Sequence, residues 1–317
     1  MSMKAAVAAF VHDGGTVCLE GFTHLVPTAA GHEIIRQGRR DLTVVRMTAD
    51  IVVDQMIAAG CVSRLVSSFV GNSSAGSLGE LRRRIESADP APLAFEEYSH
   101  YGMICRYLAG AQRLPFHPLR SYGGSDLPSV NSDLRKVTSP YPDPDGEAEQ
   151  IYVVPPVNPD VTIIHAQRAD RSGNTQMWGL TGIQAEAVHA ADKAVVVVEE
   201  IVDDEVIRSD PNRTLVPAHA VDAVVVCTGG HRLGPAGRRR GRDRTAADRG
   251  RTAAAARGRG PGPRLSSLRR ITCHIPRGPQ PPCVSGSSAP GPWAAASPSG
   301  RRPPDTPSSC ATYGRRR

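Results

Sequence analysis

The stretch "TVCLEGFTHLVPTAAGHEIIRQGRRDLTVV" (Thr16–Val45) decides the fold. Thr16–Gly21 is a short apolar strand that runs into a glycine. Pro27–Gly38 reads as a helix, with proline at its start and glycine just past its end. Ala30, Ile34 and Ile35 recur along it at helical spacing. Leu42–Met47 is a second strand. The chain keeps this alternation. Helices are expected at Asp50–Ala59, Ser77–Ala88, Tyr101–Ala111 and Gly182–Ala191. Strands are expected at Arg64–Val70, Leu93–Glu97, Asp160–Gln167, Lys193–Ile201 and Ala220–Cys227. These strands are continuous β-branched runs, as in strands buried on both faces. The expected fold is therefore α/β: an open, mostly parallel sheet with helices on both faces. The turn-rich segment Ser121–Gln150 is expected as a long excursion over that sheet. Ligands of such sheets bind outside the carboxyl ends of the strands.

Charge divides the chain in two. Over all 317 residues the net charge is +7. Residues 1–230 hold 19 Lys+Arg against 28 Asp+Glu, a net −9, and residues 231–317 hold 19 Arg against 3 Asp, a net +16. The second part also contains 13 Pro and 12 Gly, and only 8 of its residues are Ile, Leu, Val, Trp or Tyr. Such a composition buries too little apolar surface to offset the entropy of ordering, so a disordered tail is expected. An Arg-rich nucleic-acid arm is one reading of it. Arginine without lysine, amid Pro, Gly, Ala and Ser, is also what a GC-rich gene yields out of frame. The second reading is preferred, with a frameshift near residue 230 and no nucleic-acid partner.

The seven cysteines form no C-x-x-C and no zinc-like spacing with histidine, which fits reduced thiols in a cytoplasmic protein. The apolar run Ala5–Val11 meets His12-Asp13 with no cleavage-like spacer, so no signal peptide is read there. No run reaches the roughly 20 apolar residues that span a bilayer.

Polar corners follow several strands. Gly21 permits close backbone approach, and amides at the helix start beyond it can bind an anion or a carbonyl oxygen; an ordinary turn with Phe22 in the core is the alternative. "FVGNSSAGSL" (Phe69–Leu78) offers Ser77 as a helix cap with Glu80 behind it, or a pocket for a carboxylate. "FEEYSHYGM" (Phe95–Met103) sets His100 near Glu96 and Glu97, as an acid–base group or as a solvated cluster. "HAQRADRSGN" (His165–Asn174) is a polar loop suited to a turn. "VVVVEEIV" ends in Glu199-Glu200, and a carboxylate there is either a nucleophile or a salt-bridge partner. A G-x-S-x-G elbow, a Walker loop and a G-x-G-x-x-G after the first strand are missing.

Taken together, Gly21–Asp50, "AAGC" (Ala58–Cys61), "GNSSAGSL" (Gly71–Leu78), "EEYSHYGM" (Glu96–Met103), Ala109–Pro128, His165–Val188 and "VEEIVD" (Val198–Asp203) resemble the A (alpha) subunit of family I coenzyme A transferases of the glutaconate CoA-transferase type. The match runs in order from about residue 4 to 230. The resemblance implies the NagB-like fold of the alpha chain and a separate B (beta) subunit in a heterotetramer. It implies transfer of CoA between an acyl-CoA and a carboxylic acid. In that chemistry a glutamate of the partner chain becomes first an acyl anhydride and then a glutamyl-CoA thioester. The present chain would carry no nucleophile, so Glu20, Glu97 and Glu199 are weaker candidates. It would need no permanent cofactor and no metal. It would contribute binding residues: Gly21, Phe22, Thr23, Gly71, Asn72, Ser73, His100, Gly124, Gln167 and Asn174. Family members continue with further helical sequence past Gly230, which again points to a frameshift. Glu20 replaces the first of the family's usual glycine pair and would either strain the loop or face solvent. A related group of heteromeric enzymes cleaves steroid-derived acyl-CoA rings hydrolytically with an acid on the A-like chain. His100 stands nearest that position here, which favours transfer.

Overall fold

The computed structural model describes residues 1–72, 76–86 and 93–231. The expected disordered tail, apart from His231, lies outside them. Helix α1 (Met3–Phe10) is followed by β1 (Thr16–Glu20), α2 (Thr28–Arg36), β2 (Leu42–Val45), β3 (Thr48–Ala49) and α3 (Ile51–Ala58). Next come β4 (Val62–Ser67), β5 (Phe69–Val70), α4 (Gly79–Glu86), β6 (Ala94–Glu97) and α5 (His100–Ala111). A smaller group follows, with β7 (His117–Leu119), α6 (Leu127–Val130), β8 (Arg135–Thr138) and β9 (Gln150–Val154). The chain then re-enters the main sheet through β10 (Val161–Ala169), β11 (Thr175–Gln176), α7 (Gln184–Ala190), β12 (Lys193–Ile201), α8 (Asp204–Arg208), β13 (Thr214–Val216) and β14 (Ala223–Val226).

Seven strands lie parallel in the order β14-β12-β10-β1-β2-β4-β6. The chain winds outward from β1 through β2, β4 and β6, then returns to place β10 on the other side of β1. The gap between β1 and β10 is thus the switch point where such sheets hold ligands. Glu20 pairs in register with Ile164, so the two strand ends lie side by side. β12 occupies the other edge of β10, and β11 pairs antiparallel with Arg168 and Ala169 where β1 has already turned away.

Alternate residues of the strands feed opposite cores, which is why their sequences are apolar throughout. Val17, Leu19, Val44, Leu65, Ile163, Val195 and Val197 face one core with Ala30, Ile34, Val52, Met56 and Leu81 of the helices. Cys18, Val45 and Val66 face a second core with Met103, Tyr107 and Ala187. Ile164, Val196 and Val198 face a third with Val188. The N-terminal apolar run is helix α1, capped by Ser2 and packed on the first core through Ala6 and Val7. No described helix is long and apolar enough to cross a membrane.

Three expectations change. Arg64–Val70 is broken at Ser68 into β4 and β5, and β5 pairs with β3 in a separate two-stranded sheet. Ser77 is not the start of the next helix: α4 begins at Gly79, and Asp54 of α3 accepts the amides of Leu81 (2.7 Å) and Glu80 (3.4 Å). The excursion Ser121–Gln150 has its own order, because β8 pairs antiparallel with β9, which also pairs with β7.

Candidate active site

Between β1 and α2 the backbone doubles back on itself. A Cβ on Gly21 would lie 2.4 Å from the Leu25 carbonyl oxygen, so only glycine fits the corner. Thr23 and Leu25 both sit in the left-handed region, at φ 59° and 54°. For a β-branched threonine this is a genuine outlier, and such strain persists only where the surroundings over-determine it. His24 helps to hold the loop. Its Nδ1 lies 3.2 Å from the Phe22 carbonyl and its Nε2 3.4 Å from that of Trp178.

The strained loop forms one wall of a cleft of about 560 Å³ at the carboxyl ends of β1, β2 and β4. Phe22, Thr23, Gly71, Asn72 and His100 line it, so five of the sequence-predicted residues come together here. Arg46, Thr48, Asp50, Ser68 and Phe69 complete the lining and were missed by sequence reasoning. The signal available for Arg46 was a lone arginine inside the apolar strand "LTVVRM", four residues before Asp50. Phe69 is half exposed at the rim, while Arg46 is fully buried beneath it.

His100 opens helix α5 and was expected to answer to Glu96 and Glu97. The structure separates them. His100 Nδ1 lies 2.9 Å from Ser68 Oγ, and its ring meets Phe22 edge to face at 6.3 Å. Glu96 is bound by Arg64, by Arg106 Nη1 (2.9 Å) and by the Tyr98 hydroxyl (2.6 Å). Burial works to raise its carboxyl, but Tyr98 and the two guanidiniums outweigh it and hold it below the ordinary range. Glu97 lines a different cavity with Asp133 and Val130.

Glu20 neither strains the loop nor faces solvent. It turns inward and accepts the Met47 amide (2.7 Å) and the Tyr107 hydroxyl (2.6 Å). Burial raises its carboxyl above the ordinary range, against the pull of Arg46 and Tyr107.

The remaining predicted residues stand elsewhere. Ser73 lies outside the described residues. Gly124 lies in an exposed turn with φ 75°. Asn174 closes a turn: its side-chain amide donates to Asp170 Oδ2 (2.7 Å) and its Oδ1 accepts the Ala218 amide (3.0 Å). Gln167 exchanges hydrogen bonds with the backbone of Trp178, whose carbonyl also meets His24. Its link to the cleft therefore runs through the loop.

At the ends of β10 and β12 the polar groups close on one another. Glu199 Oε1 meets His165 Nε2 and His231 Nδ1, each at 2.8 Å, and Oε2 accepts the Gly229 amide at 2.7 Å. Burial opposes its ionisation, but the Gly229 amide and the imidazoles prevail and hold the carboxyl low. Burial pushes His165 down to about 4, so its ring is neutral near pH 7. The segment so fastened supports α2, because Gly230 O accepts the Ala29 amide (2.8 Å) and His231 O accepts the Thr28 hydroxyl (3.3 Å). His165, Glu199 and His231 present ligand atoms within 4.8 Å of one another, as a metal site would. A metal on Nε2 would drive the His165 proton to Nδ1, which is buried with no partner. In this structure the trio is joined by hydrogen bonds through Glu199.

The coenzyme A transferase family model matches residues 1–227, the extent of this sheet and its cleft. The chain belongs to the coenzyme A transferase family. Among its relatives, the A subunit of 3-oxoadipate CoA-transferase from Pseudomonas knackmussii is 49% identical over 230 residues, covering 73% of this chain and 79% of the relative. The crystal structure of glutaconate coenzyme A-transferase from Acidaminococcus fermentans matches with a TM-score of 0.65 and 34% identity, over 73% of this chain and 76% of that one. A cholesterol ring-cleaving hydrolase IpdA subunit of Rhodococcus jostii is 31% identical over 74% of this chain and 79% of its own. The CoA-transferase fold read from the sequence is the one observed. The transferase relatives are alpha chains of heteromeric enzymes.

Proposed function

We propose that this chain is the alpha subunit of a heteromeric CoA-transferase and that its cleft binds the acyl-CoA and acid while a partner beta subunit supplies the nucleophile. One observation carries this reading. Asp50 is the single carboxylate among the described lining residues, and it is not available for attack: Oδ2 is held by Arg46 at 3.0 Å and Oδ1 is buried. Glu20 is buried, and Glu199 already accepts three hydrogen bonds, from His165, His231 and Gly229. This supports a nucleophilic glutamate supplied by another chain. It would attack the acyl carbonyl and expel CoA thiolate, leaving an acyl-glutamyl anhydride. The thiolate would then attack the glutamyl carbonyl and release the free acid. An acceptor carboxylate would run the same steps backwards. The Thr23 hydroxyl, the Asn72 amide and the held backbone of the corner loop suit a developing oxyanion, while the Ser68 hydroxyl donates to Met47 O at 2.7 Å. CoA enters as substrate, with no permanently bound cofactor. Short dicarboxylic acids are the first acceptors to test, a choice supported by the 49% identity to a chain named for 3-oxoadipate.

The cytoplasm is the proposed location. Residues 1–230 are proposed as the working domain and 231–317 as out-of-frame product. Sequencing the locus tests the latter: an intact alternative frame supports it, and a clean single frame overturns it. Thioester exchange followed by mass spectrometry, with the partner chain co-expressed and a panel of acids, tests the activity.

Hydrolysis on the same scaffold is the second reading, supported by the 31% identity to the ring-cleaving hydrolase chain; it would need His100, which lines the cleft, to do the work of the acid in those enzymes. The Ser68 contact uses Nδ1, so Nε2 is the nitrogen left to activate water. Replacing His100 with Asn should abolish hydrolysis and lower transfer by less than about tenfold, below the roughly 10²–10⁴-fold that loss of a general acid–base group costs.

A further inference from the structure

Arg46 borders the cleft as a cation would that receives a substrate carboxylate, yet its guanidinium is already spent on the protein. It is 1% exposed. Nε donates to Thr48 O at 2.8 Å. Nη1 donates to Leu19 O. Nη2 donates to Gly21 O at 3.1 Å and to Asp50 Oδ2 at 3.0 Å. The two carbonyls from β1 and its corner flank Glu20, so one rigid fork grips the strand end from both sides of the point where the chain turns. Beyond that grip come two of the four described non-glycine residues in left-handed backbone, Thr23 and Leu25. Strain of this kind relaxes unless something holds it. β1 gives the loop no ladder partner after Glu20, because its pairing with β2 ends at Cys18 and with β10 at Glu20. The grip must come from a side chain, and Arg46 is the one that reaches both carbonyls.

We infer that Arg46 is a positioning residue for the transfer reaction: its guanidinium clamps the carbonyls of Leu19 and Gly21 and so holds the strained loop Gly21–Pro27 in its working shape, and it does not bind the substrate. The inference rests on the transfer reading for its kinetic consequence and on the fold alone for its structural one. Lysine at this site keeps the charge but, as a single ammonium, cannot hold both carbonyls in the same plane.

The test uses the co-expressed complex and the Arg46→Lys variant, with Arg46→Gln as a neutral second. Two readouts are taken. Hydrogen exchange of the peptide covering residues 20–27 should rise at least tenfold in Arg46→Lys, with β10 and β12 unchanged. In the same preparation kcat should fall by more than tenfold, with KM for acyl-CoA and for the acid within about twofold of wild type, as expected when geometry rather than binding is lost. A loop that exchanges as in wild type overturns the clamp. A KM for the acid raised tenfold or more with a protected loop assigns Arg46 to the substrate instead. An inactive wild-type complex would count against the transfer reading, and hydrogen exchange would still decide the clamp. Should neither variant fold, the wild-type Nη1 and Nη2 protons of Arg46, which hold Leu19 O and Gly21 O, decide by nitrogen-15 NMR: slow exchange with water supports the clamp, and fast exchange overturns it.

Discussion

Two ends of one sheet, a single strand apart, use the same residue types to opposite effect. At β1, β2 and β4 the charged pair Arg46–Asp50 lies under an open cleft, and the walls above it carry hydroxyls, an amide and an imidazole with room between them. At β10 and β12 the carboxylate of Glu199 has taken up two imidazoles and an amide. A carboxylate at the carboxyl end of a buried strand is thus a nucleophile only if its oxygens stay uncommitted. Glu199 fastens the segment that caps α2, and under the proposed function the nucleophilic carboxylate reaches the cleft from the partner chain.

Substitutions can break or sharpen this contrast. The largest effect is expected at the cleft floor. Arg46→Ala leaves the carbonyls of Leu19, Gly21 and Thr48 and the Asp50 carboxylate without their partner and should cost about 3–5 kcal/mol in urea unfolding, as when one member of a buried pair is removed. A loss under about 1 kcal/mol, the range of an exposed pair, would mean that water reaches the floor. Next comes the corner. Gly21→Ala pushes a methyl group into the Leu25 carbonyl and should cost about 1–3 kcal/mol by overpacking, with transfer reduced more than stability explains. Wild-type transfer by this variant would remove the loop from the site.

The fastened end should respond less. Glu199→Gln keeps the shape and one acceptor oxygen, and a loss of about 1 kcal/mol is expected, in line with one hydrogen bond. Transfer should fall by less than tenfold, and a fall of three orders of magnitude or more would identify Glu199 as the nucleophile after all.

The smallest effect concerns pH. Glu20 has a carboxyl raised by burial, so the folded state favours its protonated form. Its contribution is complete below the unfolded value of 4.5 and is lost as pH rises through the folded one. Glu20→Gln should therefore gain stability relative to wild type on going from about pH 4 to pH 8, by about 1 kcal/mol for every tenfold weakening of the folded-state acid. A constant difference across that range would show that Glu20 ionises in the fold as it does outside it.

How much of this was legible depended on whether the cause was local. Continuous runs such as Val195–Val198 announce strands covered on both faces, and the two cores confirm why. Pro27, Gly38 and Gly60 marked helix ends by their own torsions, with φ 65° and 71° at the glycines. The sheet β7-β9-β8 was not legible, because a three-residue strand such as "HPL" has no period to detect. Nor was the cap on α4, which comes from Asp54, some 25 residues away in sequence. In the site, the glycine corners were visible as composition, while Arg46 and Ser68 were not, because their roles arise from strands that meet only in the fold. The same holds for Glu20, whose inward turn depends on Tyr107 of α5.

The central claim is that this chain provides the cleft and another provides the carboxylate. The measurement that reaches it most directly is thioester exchange by each of the two chains in isolation and by the co-expressed pair. The account predicts no transfer by either chain alone and transfer by the pair, with the CoA-bound glutamate found by mass spectrometry on a peptide of the partner chain. Transfer by this chain alone, or a CoA adduct on one of its own glutamates, would contradict it.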